Sequence, residues 1–570
     1  MEKQEAIIEF KDFTFQYYSQ AEPTLFDINL QIFPGEKILI VGPSGSGKST
    51  LGNCINGLIP FSYSGEMSGS LTIHSEPSKE KNIFELSKHV GTVLQDSDGQ
   101  FVGLAAGEDI AFALENDNVP LTEMHQQVSR VADMVGMSAF LSSSPFELSG
   151  GQKQRTSLAG VMVNDVDIFL FDEPLANLDP ATGKTAIEII DDIQKVSGKT
   201  IIIIEHRLED VLHRFFDRII VLNEGRIIAD MDAHSLVSSD ILIKTGIREP
   251  LYVTAMKYAG VDVKQDLLPG YITTVKADHC RNALRVWQEG IPPPEPSSQK
   301  PSVIKMEDVS FSYDGIRPVL QDINFDIREG EMVSLVGKNG AGKSTLSKLL
   351  CGFEKEDTGT IYHRGEDIRE KSIKERAEII GVVLQNPNQM ISKNLIYDEI
   401  ALGLRFRDVP EEDIQQRVEK VLNVCGLSPF IEWPISALSY GQKKRVTIAS
   451  ILALGPEILI LDEPTAGQDF RHYSEIMEFL VEINKTGVTV ILITHDMHLM
   501  LEYTPRAIVL ADSRIVADTA ASVVLTDPEV IHKANLKETS LFHIAQMAGF
   551  ADATGFVQGF IDYERRLKNR

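Results

Sequence analysis

The sequence predicts an α/β fold written twice, each half a mixed sheet core with a helical lobe, in one chain of 570 residues. Three observations predict it. A strand-sized apolar run leads into a Gly-x-x-x-x-Gly-Lys-Ser loop at Gly42 and again at Gly337. A second apolar run ends in Asp-Glu at Asp172-Glu173 and again at Asp462-Glu463. The two lysines, the two Asp-Glu pairs and two later histidines, His206 and His495, are each separated by about 290 residues, the mark of an internal duplication.

Each half opens on an aromatic, β-rich segment, Phe13-Thr14-Phe15-Gln16-Tyr17 and Val309-Ser310-Phe311-Ser312-Tyr313. Tyr17 and Tyr313 offer ring faces on which an adenine could stack, and an ordinary cross-strand aromatic explains them equally well. Next come the glycine loops, Gly42-Pro43-Ser44-Gly45-Ser46-Gly47-Lys48-Ser49-Thr50 and Gly337-Lys338-Asn339-Gly340-Ala341-Gly342-Lys343-Ser344-Thr345. Glycines let the backbone wrap so that successive N–H groups point at phosphate oxygens, with a helix N-terminus behind them. Lys48 and Lys343 then reach the β- and γ-phosphates, and Ser49 and Ser344 a magnesium ion.

The strands Asp167–Phe171 and Glu457–Leu461 deliver Asp172-Glu173 and Asp462-Glu463 to the carboxyl edge of a parallel sheet, where α/β folds bind ligands. The aspartates suit hydrated magnesium; Glu173 and Glu463 suit polarising a water that attacks the γ-phosphate. Two further strands carry His206 and His495 to the same edge, as γ-phosphate sensors.

Composition bounds the partners. A net charge of −27 argues against nucleic acid, which favours a basic face. Four cysteines, Cys54, Cys280, Cys351 and Cys425, lie far apart and read as reduced buried thiols. The polar start at Met1–Glu5 shows no secretory signal, and no apolar window reaches the ~18 residues that a membrane span needs. Any channel this chain serves must come from other subunits.

Leu148-Ser149-Gly150-Gly151-Gln152 and Leu438-Ser439-Tyr440-Gly441-Gln442 are serine-glycine turns opening helices. With these, the ordered set resembles the ATP-binding-cassette ATPases over nearly all of both halves. The resemblance implies ATP and Mg2+ as ligands, with Gln95 and Gln385 joining the catalytic and metal-binding groups. It also implies that Ser149, Gly150, Gly151 and Gln152, and Ser439, Gly441 and Gln442, contact the nucleotide held by the opposite half, so that the two halves pair within one chain. Tyr440 departs from the pattern by replacing a glycine, which implies two unequal sites.

The stretches after the glutamines, Gln95–Phe101 leading to Glu108-Asp109 and Gln385–Met390 leading to Asp398-Glu399, resemble those of energy-coupling-factor importer ATPases. That branch implies a motor at the cytoplasmic face of the cell membrane, gripping a transmembrane scaffold subunit beside a substrate-binding membrane subunit, with thiamine or its hydroxymethylpyrimidine precursor as cargo. Phe101, Val102 and Leu104, and Met390 and Ile391, are the apolar side chains expected to face the scaffold. A tandem sugar-importer ATPase and a cassette protein acting on ribosomes or DNA are the alternatives; the short proline-rich join argues against the ribosomal kind, and the lack of coiled-coil heptads against DNA repair. The expected domains are a first cassette at 1–235, its helical tail at 236–290, a linker at 291–302, a second cassette at 303–520 and a helical tail at 521–570.

Overall fold

The computed structural model describes residues 5–94, 98–176, 178–292 and 300–568. Gln95, Asn177 and most of the expected linker, at 293–299, lie outside the described residues. The chain divides into two compact units, one of Met1–Arg285 with Asp469–Arg471, the other of Val286–Gln468 with His472–Arg570.

In the first unit the strands are β1 (Ile8–Tyr17), β2 (Leu25–Ile32), β3 (Lys37–Val41), β4 (Gly65–Ile73), β5 (Glu76–Pro77), β6 (Val90–Val93), β7 (Ile168–Asp172), β8 (Thr200–Ile204), β9 (Arg218–Asn223) and β10 (Arg226–Met231). They form two sheets rather than one. A four-stranded antiparallel sheet runs β2-β1-β4-β5, and a six-stranded mixed sheet runs β10-β9-β3-β8-β7-β6. Only β10 is antiparallel in the larger sheet. The aromatic opening segment therefore pairs with a hairpin instead of entering the parallel sheet. Its Phe10, Phe13 and Phe15 meet Ile38, Ile40, Ile202 and Ile204 in one core. Strands such as Thr200–Ile204 carry no polar alternation because both of their faces are covered.

The second unit repeats the plan with β11 (Ser302–Phe311), β12 (Leu320–Arg328), β13 (Met332–Gly337), β14 (Thr358–His363), β15 (Glu366–Asp367), β16 (Ile380–Val383), β17 (Ile458–Asp462), β18 (Thr489–Ile493), β19 (Arg506–Ala511) and β20 (Arg514–Thr519). Its sheets run β12-β11-β14-β15 and β16-β17-β18-β13-β19-β20. Helical lobes are inserted ahead of β7 and β17: Ala106–Asn116, Leu121–Met134 and Gly150–Met162 in one, Ile396–Arg405, Glu411–Val424 and Tyr440–Leu452 in the other. The tails are helical as well. Within the first tail Tyr252 donates to the Pro269 carbonyl at 2.6 Å, and the Tyr271 hydroxyl accepts from Phe216 N at 3.0 Å, which ties that tail to the first cassette.

One difference between the units is chemical. At the start of β3, Lys37 is buried and forms an ion pair with buried Asp191, which Lys195 also approaches at 2.6 Å. At the equivalent places the second unit has Met332 and Val481, packed in one apolar cluster. Removing one partner of a buried pair strands the other charge, whereas an apolar pair of similar volume needs no partner. Asp191→Ala should therefore destabilise the first unit by about 3–5 kcal/mol, and Lys37→Met with Asp191→Val by far less. Denaturant-dependent hydrogen exchange at the β3 amides measures both.

Candidate active site

The sites form where the parallel strands end. The turn after β3 needs its glycines: a Cβ on Gly42 would stand 2.3 Å from the Leu222 carbonyl oxygen, and Gly47, at φ +99°, would bring one within 2.9 Å of Thr24 O. This loop places the Lys48 ammonium against the carbonyls of Gly42 and Pro43 at 2.7 and 2.9 Å. Lys343 repeats the arrangement on Gly337 and Lys338 at 2.7 and 3.1 Å. Burial pulls the Lys48 pKa down, against the opposing charge of Glu173. The buried Ser46 hydroxyl has no hydrogen-bond partner among the described residues, as a loop shaped for an anion would leave it. This donor set fits the phosphates of a nucleotide.

The metal-type groups are brought together too. Ser49 Oγ donates to Asp172 Oδ1 at 3.3 Å. Burial, with Glu173 next to it, pushes the Asp172 carboxyl up to about 6, and Asp462 is raised for the same reasons. Glu173 and Glu463 sit at φ +50° and +44°, uncommon for a side-chain-bearing residue, and each backbone N–H is fixed at 2.9 Å on the end of the neighbouring strand, at Ile204 O and Ile493 O. Burial raises the Glu173 pKa, but His206 and Lys48 outweigh it and hold the carboxylate ionised.

The two halves then diverge. His495 Nδ1 lies 2.7 Å from Glu463 Oε1, while His206 Nδ1 is 3.6 Å from both Glu173 and Glu205. Glu205 is fully buried and accepts from the backbone N–H groups of His206, Arg207 and Leu175 at 2.8, 3.2 and 3.3 Å. Thr494 holds that position in the second unit and donates to Glu463 at 3.4 Å. The motif reading overlooked Glu205, although an acid closing a run of four isoleucines, opposite a threonine in the other half, was a visible signal.

The signature serines begin helices, as their sequence implies. Ser149 Oγ accepts from Gln152 N at 3.3 Å and Gln152 Oε1 from Ser149 N at 2.8 Å; Ser439 and Gln442 do the same at 3.3 and 2.9 Å. The carbonyl oxygens of both glutamine side chains are thus engaged in reciprocal caps within their own units, and the first-turn N–H groups, the serine O–H and the glutamine NH2 are the donors left for a ligand. The Tyr440 ring turns to its own unit, where its hydroxyl donates to the Gln385 carbonyl at 3.2 Å. Fully buried Lys444 donates to Leu384 and Gln385, both at 2.8 Å, and burial brings its pKa to about 8. Lys444 also escaped the motif reading; a lysine on an otherwise apolar helix face, where the first half has Gln154, was its signal. Tyr17 and Tyr313 stand beside the phosphate loops, their hydroxyls 3.1 and 3.3 Å from Thr50 and Thr345.

The apolar segment after the glutamine is built differently in the two halves. In the first, Asp109 accepts from Val102 N and Gly103 N at 2.8 and 2.9 Å and Glu108 from Leu104 N and Ala105 N at 3.0 and 3.2 Å. These bonds leave Val102 and Leu104 67% and 84% exposed. In the second, Met390 and Ile391 are half-buried and pack on the lobe core.

Asp172 yields a signed expectation. Its folded pKa, about 6, exceeds the ordinary 3.8, so folding favours the protonated carboxyl. Stability is lost as pH rises through this interval, and the penalty is full above it. Asp172→Asn should raise first-unit stability of the nucleotide-free chain at pH 7 by roughly 2 kcal/mol and flatten its pH dependence across that interval. Thermal unfolding across the acid range checks this.

A family model described as ABC transporter matches residues 25–176 and 320–466. A second, described as ATP-binding cassette cobalt transporter, matches 239–311. A putative ABC transporter ATP-binding protein of Clostridium perfringens is 56% identical over 567 residues, all of both chains, and one of Enterococcus faecalis is 55% identical over 564 residues, 99% of each. A solved structure, cbiO1 of Clostridium perfringens, described as part of the ABC transporter complex cbiONQ, is 36% identical over 41% of this chain and 95% of its own, at a TM-score of 0.39. The chain belongs to the ATP-binding-cassette transporter ATPases, with the family's core matched in each half.

Proposed function

We propose that this ATPase is the motor of an import transporter of the energy-coupling-factor type, working at the cytoplasmic face of the membrane with a transmembrane scaffold subunit and a substrate-binding membrane subunit. No helix among the described residues is long and apolar enough to cross a membrane, so the scaffold supplies the path. In each half the loop and Lys48 or Lys343 bind the ATP phosphates. Ser49 with Asp172, and Ser344 with Asp462, are the groups to hold Mg2+, which when bound offsets phosphate charge; Gln95 and Gln385 complete that set. Glu173 and Glu463 orient and polarise the attacking water, and His206 and His495 hold those carboxylates in place. Each signature helix serves the nucleotide of the other half, so that ATP closes the pair and hydrolysis reopens it.

The observation that carries the docking half of this reading is the braced loop Val102–Ala105. Two carboxylates hold its N–H groups while Leu104 and Val102 stand in water. Rigid presentation of apolar side chains is what a protein partner recognises and what a free surface avoids.

No residue of the ATP sites needs to touch the cargo. A vitamin or vitamin precursor, such as thiamine or hydroxymethylpyrimidine, is the cargo we favour from the resemblance of the glutamine segments. A cobalt ion is the second reading, favoured by the cobalt-transporter model matched over 239–311.

Two expectations test the motor. Glu173→Gln with Glu463→Gln should lower hydrolysis about 100-fold or more while ATP binding persists, since general-base action is lost and the phosphate contacts remain; wild-type turnover in that variant would remove both glutamates from the chemistry. Leu104→Asp should weaken co-purification with membrane subunits from detergent by tenfold or more, because it places a charge in a contact that must desolvate, yet leave hydrolysis by the isolated chain unchanged; about 2 kcal/mol at such a contact corresponds to that loss. Intact assembly would place the scaffold elsewhere.

A further inference from the structure

We propose that His74, His89 and Asp167 form a site for one divalent transition cation of the zinc, cobalt or nickel class, away from the phosphate loop in the first unit. His74 lies in the turn from β4 to β5, His89 immediately before β6, and Asp167 immediately before β7. One ligand atom from each lies within 4.8 Å of the others. His74 Nε2 is 3.3 Å and His89 Nδ1 3.7 Å from Asp167 Oδ2, and the imidazole centroids are 4.7 Å apart. The other carboxylate oxygen, Oδ1, pairs with Lys199 at 3.3 Å, which fixes the carboxylate and turns Oδ2 toward the rings.

One observation beyond the cluster's geometry points to a ligand. His89 Nδ1 is buried and has no hydrogen-bond partner among the described residues, an arrangement disfavoured unless something else satisfies the nitrogen. A neutral imidazole is the form that binds metal. Two imidazoles and one carboxylate with solvent at the remaining positions suit borderline divalent ions better than magnesium or calcium, which prefer all-oxygen sets.

The second unit is an internal control. Strand register aligns Ile73 with His363, opposite Ile8 and Ile304, so Arg364 occupies the turn position of His74. Both residues share the left-handed conformation, at φ 48° and 53°. Ile379 replaces His89, and Glu457, the counterpart of Asp167, is held by Arg364 Nε at 2.9 Å and by His363 Nε2 at 3.2 Å. A guanidinium–carboxylate pair there joins the small sheet to the large one. In the first unit the same join is made by three metal-ligand types.

The test uses the full chain, stripped with chelator and titrated with CoCl2 or ZnCl2 by calorimetry and, for cobalt, by visible absorption. One equivalent should bind, and His74→Arg and His89→Ile, the residues of the second unit, should each weaken binding by on the order of 10- to 100-fold or more, at least the loss seen for outer-shell partners. Mg2+-dependent ATP hydrolysis should be unchanged in both variants. Zinc should also protect His74 and His89 of the wild-type chain from diethyl pyrocarbonate, a readout that needs no variant. Absence of stoichiometric binding, or unchanged affinity in His89→Ile with no protection of the wild type, would reduce the cluster to an ion-pair join like that of the second unit.

Discussion

The structure depends on parallel strands covered on both faces. Runs such as Ile201–Ile204 and Ile458–Leu461 are wholly buried, so the only places where these strands can present charge are their ends. Asp172, Glu173 and Glu205 with His206 converge because β7, β8 and β3 are neighbours in one sheet and point the same way. The positive φ at Glu173 and Glu463 follows from the same constraint. Each backbone N–H must close the last rung on the adjacent strand while its side chain turns toward the phosphate loop. Strain of this kind, of order 1–3 kcal/mol, persists only where the surrounding packing is rigid enough to hold it.

Much of this was legible in the residues because the relevant chemistry is local. A glycine loop is specified within nine positions, a buried strand within five, and a helix cap within four, so Lys48, Asp172, Glu173 and Ser149 could be placed from their own neighbourhoods. What could not be read was set by partners far away in the chain. That β1 joins a small antiparallel sheet depends on its register with β4, about 60 residues on. That Gln152 and Gln442 serve as reciprocal caps depends on a rotamer that the motif does not encode. Lys444 and Glu205 look like ordinary charges until burial shows that each is surrounded by backbone it must satisfy.

The duplication also shows how two copies of one plan drift. Where the first half uses ions, with Lys37 on Asp191 and Glu205 beneath His206, the second uses Met332 with Val481 and a threonine. The trade runs the other way after the glutamines, where the second half buries Lys444 and packs Met390 and Ile391 inward. Such exchanges keep shape while changing how each half responds to pH and salt, because buried charge couples to protons and ions and apolar packing does not.

The anchoring of the signature helices carries a mechanical consequence. In the second unit Tyr440 and Lys444, one turn apart, both donate to the carbonyl of Gln385, so the helix is tied to the glutamine segment at two points. In the first unit the residue equivalent to Lys444 is Gln154, and its amide holds the Pro174 carbonyl, next to Glu173. Lys444 therefore ties its helix to the glutamine segment, and Gln154 ties its own to the turn that follows Glu173. Through these two side chains, a displacement of either signature helix would be passed to a different neighbouring segment in each half.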